Sequence, residues 1–153
     1  MNLGTKARYA VMAMVELSGK PKGKPVKLAE LADAQEMTVP YLEQIFGKLR
    51  QAGLVESVRG PGGGYVLAKK ADSILIADII CAVEESVKMT RCESHINGGC
   101  MAENTRCATH DLWEGLQRHI ADYLQSVTLA DVRDRKVVPD VVLGNIEVAP
   151  PPS

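Results

Sequence analysis

Apolar residues in the first third of the chain recur at the spacing of amphipathic helices. The pattern predicts a first helix over residues 6–17, a shorter second helix over residues 28–35 and a third helix over residues 38–51. Thr38 is a good N-cap for the third helix, and Pro40 fits its first turn, where a missing N–H costs no hydrogen bond. The chain is therefore predicted to begin with three helices in close succession.

The third predicted helix has one well-defined apolar face. Its apolar residues follow the i, i+3, i+4, i+7 pattern of a buried stripe, and they are Leu42, Ile45, Phe46 and Leu49. The residues left for the opposite face are Pro40, Glu43, Gln44, Gly47 and Lys48. We expect this helix to pack by one side and to present a mostly polar side to solvent or to a partner.

A hairpin is predicted after the third helix. Gly53 ends the helix, residues 54–58 are typical of a strand, and residues 65–67 form the returning strand. Residues 60–64 read Gly-Pro-Gly-Gly-Gly, a sequence that only a turn accommodates. Three helices followed by a glycine-rich, two-stranded wing is the order of the winged helix-turn-helix, whose third helix enters the major groove of DNA.

The second half of the chain is predicted to contain two helices with a loop between them. Residues 73–85 have helical periodicity, and Cys81 lies within their apolar pattern as a small core residue. Residues 92–110 show little periodicity and are predicted to form the loop. A long helix opens near Thr109, and its wide apolar stripe, which runs to Val127, is more than one isolated helix can bury.

These patterns define the expected fold class. Thr128 is predicted to cap a last short helix that ends near residue 135, and residues 136–153 are expected to form a disordered tail. The fold is thus predicted to be mainly α. A winged helix-turn-helix DNA-binding domain covers residues 1–70, and residues 71–135 carry the cysteine-containing loop and the helices suited to dimerisation.

The distribution of charge separates the two halves of the chain. The formal net charge is -1, yet residues 1–70 hold 11 Lys and Arg against 6 Asp and Glu, and residues 71–153 hold 7 against 13. A basic N-terminal half suits a polyanion such as double-stranded DNA, although an ordinary solvated surface is the simpler alternative. The sequence contains no uninterrupted apolar run of about 18 residues, so we expect a cytoplasmic protein without a membrane anchor.

The polar face of the third helix supplies candidate DNA contacts. Glu43 can accept a hydrogen bond from cytosine N4, Gln44 can pair with adenine, and Lys48 can reach guanine or phosphate. Arg59 at the lip of the wing can enter a narrow minor groove. The wing glycines precede a strand rather than a helix N-terminus, which argues against a nucleotide-binding P-loop.

A second constellation lies in the predicted loop. Cys92, Cys100, Cys107 and His110 follow the pattern C-x7-C-x6-C-x2-H. Three thiolates and an imidazole suit an iron-sulfur cluster or zinc, and the absence of a close Cys-x2-4-Cys pair favours the cluster. Four unrelated residues are the remaining alternative, and three free thiols in an exposed loop make it a poor one. His95 could replace His110 as the fourth ligand.

Several longer stretches resemble the IscR-type iron-sulfur cluster regulators, a bacterial winged helix family. The resemblance covers residues 3–129, although the two longer gaps between cysteines exceed those of the best-known members by a residue or two. The stretches that carry it are Lys-Ala-Arg-Tyr-Ala-Val at 6–11, Tyr-Leu-Glu-Gln at 41–44, Val-Arg-Gly-Pro-Gly-Gly-Gly-Tyr at 58–65, Glu-Glu-Ser at 84–86, Thr-Arg-Cys at 90–92 and Cys-Ala-Thr-His-Asp-Leu-Trp at 107–113.

The resemblance implies a [2Fe-2S] cluster on Cys92, Cys100, Cys107 and His110, and a homodimer formed through the long helix. It also implies control of iron-sulfur biogenesis genes, loading by the iron-sulfur cluster donor machinery, and operator preference that depends on cluster occupancy. By the same resemblance Glu43 discriminates between two operator classes. The residues expected to contact operator DNA are Pro40, Tyr41, Glu43, Gln44, Lys48, Arg59 and Gly60.

Three other functions fit parts of the sequence. Nitric-oxide- or redox-sensing repressors share the fold, but the nitric-oxide sensors recruit an acidic residue near the N-terminus, where this chain offers Lys6 and Arg8. An iron-sulfur electron carrier or enzyme subunit would need the cluster without the DNA-contacting residues. A zinc-stapled regulator would bind DNA without redox sensing. The sequence shows no hydrolytic site, and we expect a regulator rather than an enzyme.

Overall fold

The computed structural model describes residues 4–83, 100–101 and 105–137 of the chain. Within these ranges the protein is mainly helical with one two-stranded sheet, as predicted. The elements in chain order are α1 (Thr5–Ser18), α2 (Leu28–Ala34), α3 (Val39–Gln51), β1 (Val55–Val58), β2 (Gly64–Leu67), a 3-10 turn (Ala71–Ser73), α4 (Ile76–Val83), α5 (His110–Ser126) and α6 (Leu129–Arg133).

The core forms around the apolar face of α3. The four residues predicted to be buried there are all inaccessible to solvent: Leu42, Ile45, Phe46 and Leu49. Their periodic spacing leaves the opposite side of α3 in solvent. The Phe46 ring meets the Tyr65 ring edge-on with their centroids 5.0 Å apart, which packs the wing against the helical core.

The wing is an antiparallel hairpin whose register runs from Val55 opposite Leu67 to Val58 opposite Gly64. Gly60 has a φ of 107°, a conformation that side chains with a Cβ rarely adopt. A Cβ on Gly63 would collide with the carbonyl oxygen of Val58. Gly60 and Gly63 are therefore required by the tightness of the turn.

Helix α4 joins the N-terminal part of the core to the C-terminal helices. It contacts α1, α3 and α5, and its apolar residues belong to the same buried cluster as those of α1 and α3. Thr128 caps α6 as predicted: its hydroxyl accepts a hydrogen bond from the Asp131 backbone N–H at 3.1 Å, and Asp131 accepts from the Thr128 backbone N–H at 3.0 Å.

Helix α4 differs from the prediction in two ways. It begins at Ile76 rather than near residue 73, because the preceding residues form a 3-10 turn and Ile74 is extended. Cys81 is exposed and is not a core residue, which corrects the interpretation made from the apolar pattern. At about 100° per residue, Cys81 follows the buried Ile80 onto the solvent side of the helix.

Other predictions fall outside the described residues, namely those for the end of the fourth helix at residues 84–85 and for most of the tail from residue 138 onward. In the part of the chain that the structure describes, no helix combines the length and the apolar character needed to cross a bilayer.

Candidate metal centre and DNA interface

The exposed side of α3 presents several of the side chains predicted to read DNA. Pro40, Glu43 and Gln44 are exposed, because the buried apolar stripe fixes the rotation of the helix. Tyr41 is half-buried, and its ring lies edge-on to that of Tyr9 with centroids 5.9 Å apart. At the start of α3, exposed side chains therefore lie next to an aromatic residue that contacts α1.

Lys48 does not share this outward orientation. It is half-buried, and its Nζ donates a hydrogen bond to the carbonyl oxygen of Val83 at 3.3 Å. Val83 belongs to α4, so the long lysine side chain extends across the helix interface. In this structure the ammonium group is engaged within the protein, and its contact with DNA remains a prediction.

The wing presents the remaining predicted DNA contacts at its tip. Arg59 and Gly60 are exposed and directly follow β1, whose pairing with β2 determines where the tip projects. A guanidinium at the end of a narrow hairpin suits insertion into a minor groove, where the negative potential is strongest when the groove is narrow.

A polar cleft beside α3 was not predicted from the sequence. It has a volume of about 360 Å³ and is lined by Thr5, Arg8, Tyr9, Met12, Gln35 and Glu36. Its position next to Tyr41 follows from the Tyr9–Tyr41 ring contact. The basic start of α1 was the only sequence signal for it, and the pairing of α1 with the end of α2 is a tertiary feature.

Two of the predicted metal ligands meet at the start of α5. The Cys100 Sγ lies 2.9 Å from His110 Nδ1, and His110 is only 4% exposed. The Cys107 Sγ lies 3.7 Å from Thr109 Oγ1, in the turn that leads into the helix. The backbone N–H of His110 donates to the Cys107 carbonyl at 3.1 Å, which ties this third ligand candidate to the same turn.

The other ring nitrogen of His110 faces a carboxylate. His110 Nε2 lies 3.5 Å from Glu114 Oε2, one helical turn further along α5. When Nε2 carries the proton, Nδ1 presents a lone pair towards Cys100, and the carboxylate supports this tautomer. Metal-binding histidines commonly have such a carboxylate partner. Glu114 was not predicted from the sequence, although its i+4 spacing from His110 was visible.

The donor set fits an iron-sulfur cluster or zinc better than a hard cation. The thiol of Cys100 and the imidazole of His110 are soft donors that already converge. His110, Asp111 and Glu114 also place one ligand atom each within 4.8 Å of one another, but Asp111 is exposed and lies 3.6 Å from Arg106. Cys92 and the alternative ligand His95 lie outside the described residues.

Helix α5 leaves much of its apolar stripe uncovered. Leu112 is 63% exposed, Trp113 41% and Tyr123 54%. Within the described ranges, α4 is the main element that packs on α5. A helix with this stripe usually buries it against a partner.

Comparison with known proteins identifies the family. The model of the Rrf2 family, described as iron-dependent transcriptional regulator, matches residues 3–135. The HTH-type transcriptional regulator IscR of Vibrio campbellii is 47% identical over 139 residues, which cover 90% of this chain and 81% of that protein.

Two solved structures share the fold. The structure of T. potens IscR has a TM-score of 0.71 at 35% identity, and the match covers 94% of both chains. The structure of CymR, the global cysteine regulator of B. subtilis, has a TM-score of 0.74 at 33% identity over 88% of this chain and 98% of that one. The matches confirm the resemblance to IscR-type regulators and the prediction of a regulator rather than an enzyme. This chain belongs to the Rrf2 family of iron-dependent transcriptional regulators.

Proposed function

We propose that the protein is a transcription regulator that senses iron-sulfur cluster occupancy and changes its operator preference accordingly. The observation that carries this proposal is the 2.9 Å approach of Cys100 Sγ to His110 Nδ1, in a chain that also presents the polar face of α3 to solvent. The same molecule thus has a soft metal-binding pair and a DNA-reading helix. The naming of close relatives as IscR supports the combination.

The cofactor is proposed to be a [2Fe-2S] cluster on Cys92, Cys100, Cys107 and His110. Such a cluster supplies a redox-sensitive and reversible occupant for the site. The protein contributes the thiol of Cys100, the thiol of Cys107 in the turn before α5, and an imidazole whose far nitrogen is held by Glu114. Zinc in the same site would leave DNA binding intact and abolish redox sensing.

Double-stranded operator DNA is the proposed partner of α3 and the wing. Glu43 and Gln44 are exposed on α3 and suit base reading, and Arg59 at the wing tip suits the minor groove. Pro40 and Tyr41 at the start of α3, and Gly60 beside Arg59, suit contacts to the backbone. Lys48 is assigned to the interface as well, although its amine is bound to Val83 in the free protein.

The functional unit is proposed to be a homodimer formed through α5. The uncovered stripe that includes Leu112, Trp113 and Tyr123 would become the centre of the interface. Two-fold symmetry would place paired recognition helices about one DNA turn apart, as palindromic operators require. We further propose that the regulated genes encode iron-sulfur biogenesis functions, that the cluster donor machinery loads the site, and that the protein acts in the cytoplasm.

Glu43 provides the test of DNA reading. We expect Glu43→Ala to relax selection at one base position by about 1–3 kcal/mol, roughly 5- to 150-fold, because cytosine N4 loses its acceptor. The measurement is selection from a pool of random duplexes, followed by affinity measurement on the selected sites. Asp72→Ala is the matched control, since it removes an exposed carboxylate outside α3 and the wing.

Unchanged base selection by Glu43→Ala would contradict the reading role. A lack of sequence selection by the wild-type protein would contradict the proposed function as a whole and would favour an electron carrier.

A further inference from the structure

Lys48 makes an unexpected contact between the recognition helix and the helix that leads to the metal site. Its Nζ donates to the Val83 carbonyl oxygen at 3.3 Å, across 35 positions in the sequence. Among the residues that the structure describes, this is the only hydrogen bond between α3 and α4. The remaining contact between these helices is apolar packing.

The acceptor is well suited to a cation. A protonated amine that donates to a carbonyl oxygen makes a charge-assisted hydrogen bond, which is roughly twice as strong as one between neutral groups. Lys48 therefore forms a polar link between α3 and Val83, the last residue of α4 that the structure describes.

Helix α4 is connected to the candidate metal centre at both ends. Cys92 lies nine residues beyond Val83 in the sequence. At the other end, the Ile76 backbone N–H donates to the Val127 carbonyl at 2.9 Å, directly after α5, whose first residue is His110. A change at the cluster ligands thus has two covalent or hydrogen-bonded routes to α4, and Lys48 is the polar link from α4 to α3.

We propose that Lys48 is a positioning residue that couples the cluster-binding segment to the recognition helix by holding α4 at Val83 against α3. The inference rests on the proposed function and assigns to one side chain the transmission of cluster state to DNA preference. A linkage of this kind is reciprocal, so operator DNA that favours one position of α3 also favours one state of the cluster segment.

A direct contact between Lys48 and a DNA phosphate is the competing explanation, and salt dependence separates the two. Each phosphate contact contributes about one unit to the slope of log affinity against log salt concentration. Loss of a phosphate contact would lower that slope and weaken binding equally in both cluster states. Loss of the coupling would leave the slope unchanged and reduce the difference between the two states.

The test compares Lys48→Met, which keeps the aliphatic stem and removes the amine, with Lys48→Arg, which keeps a donor. Lys69→Met is the control, because Lys69 is exposed and its loss changes the net charge equally. Each variant is prepared with its cluster and, in a Cys92→Ala background, without it. Affinities are measured for the duplexes that the wild-type protein selects, and amide hydrogen exchange is followed at residues 80–83.

We expect Lys48→Met to bind the cluster normally, as judged by visible absorption, and to reduce the ratio of affinities between the two cluster states by at least about fivefold. Amides at residues 80–83 should exchange about fivefold faster, the factor that one ordinary hydrogen bond carries. Lys48→Arg should retain most of the ratio, and Lys69→Met all of it.

Two results would overturn the inference: an undiminished ratio in Lys48→Met, or unchanged exchange at residues 80–83. If the wild-type protein bound the selected duplexes equally well with and without its cluster, the proposed function would be wrong, and so would the coupling role of Lys48. The exchange measurement would then still report whether Lys48 stabilises α4 near Val83.

Discussion

The environment of His110 explains how one residue can serve a metal site. Its ring is buried, with one nitrogen 2.9 Å from the Cys100 sulfur and the other 3.5 Å from the Glu114 carboxylate. The carboxylate pairs with a ring nitrogen that carries a proton, whereas a metal binds a ring nitrogen that has a free lone pair. A single neutral tautomer satisfies both, which orients the ring before any cofactor is bound.

Removal of single cysteines tests the proposed ligand set. We expect Cys100→Ala to lose visible absorption and bound iron when purified without oxygen, because one of the two converging soft donors is removed. Cys81→Ala should retain both, since Cys81 is exposed on α4 and is not a proposed ligand. Metal and sulfide analysis accompanies the spectra. A colourless wild-type protein containing zinc would contradict the cluster assignment.

Asp131 gives a prediction about pH. Hydrogen bonds from the backbone N–H and the hydroxyl of Thr128 lower the pKa of Asp131 below its ordinary value of 3.8. A carboxyl group whose pKa is lowered in the folded state contributes stability above its unfolded pKa, and that contribution is lost as the pH falls through the folded pKa. Asp131→Asn should therefore be less stable than the wild-type protein at neutral pH.

The difference between the two proteins should begin to shrink below about pH 4, where the carboxyl group of the unfolded chain takes up a proton, and should disappear only below the lowered pKa of the folded state. Urea unfolding of both proteins across pH 3 to 7 measures it. A difference that stays constant over this range would show that the charge of Asp131 does not contribute to the cap.

At the scale of helices and strands, the spacing of residues along the sequence predicted those features that depend on residues close together in the sequence. The buried face of α3, the glycine-rich turn of the wing and the Thr128 cap each depend on residues within a few positions of one another. The orientation of Lys48 was not predictable in this way, because its acceptor is Val83, 35 residues further along the chain.

The candidate metal site was likewise predictable only in part from the sequence. The pattern of cysteines and His110 was readable from the sequence, and the structure places Cys100 beside His110 and Cys107 in the turn before α5. The role of Glu114 became visible only when the rotation of α5 was known. Cys81 was misassigned because an apolar neighbourhood in sequence does not specify which side of a helix a residue occupies.

The proposed dimer interface on α5 can be tested by a single substitution. Tyr123→Glu should weaken dimerisation, because a charge would replace an aromatic ring in the proposed interface in both protomers. At about 1.5 kcal/mol or more for each ring buried, the two copies account for on the order of 100-fold in the dimer dissociation constant. Sedimentation across a dilution series measures the change.

Gln125→Glu is the matched control, because exposed Gln125 lies about 200° around α5 from Tyr123, and it should leave the association state unchanged. Equal association of the Tyr123→Glu and wild-type proteins would show that the uncovered stripe of α5 is not the interface.

At the scale of the whole molecule, one continuous core joins the predicted DNA-reading part to the helices that follow it. Residues of α1, α3, α4 and α6 belong to a single buried cluster. Close packing transmits small displacements between neighbouring helices. Together with the packing of α4 on α5, this continuity would give occupancy of the proposed cluster a physical route to the position of α3, as the proposed regulation requires.

The central claim is that cluster occupancy changes which DNA the protein selects. The most direct measurement purifies the wild-type and Cys92→Ala proteins without oxygen, records their visible absorption, and compares the sequences that each selects from random duplexes. The account predicts a coloured wild-type protein, a colourless variant, and different selected sequences. The same sequences selected by both proteins, despite loss of the cluster from the variant, would contradict it.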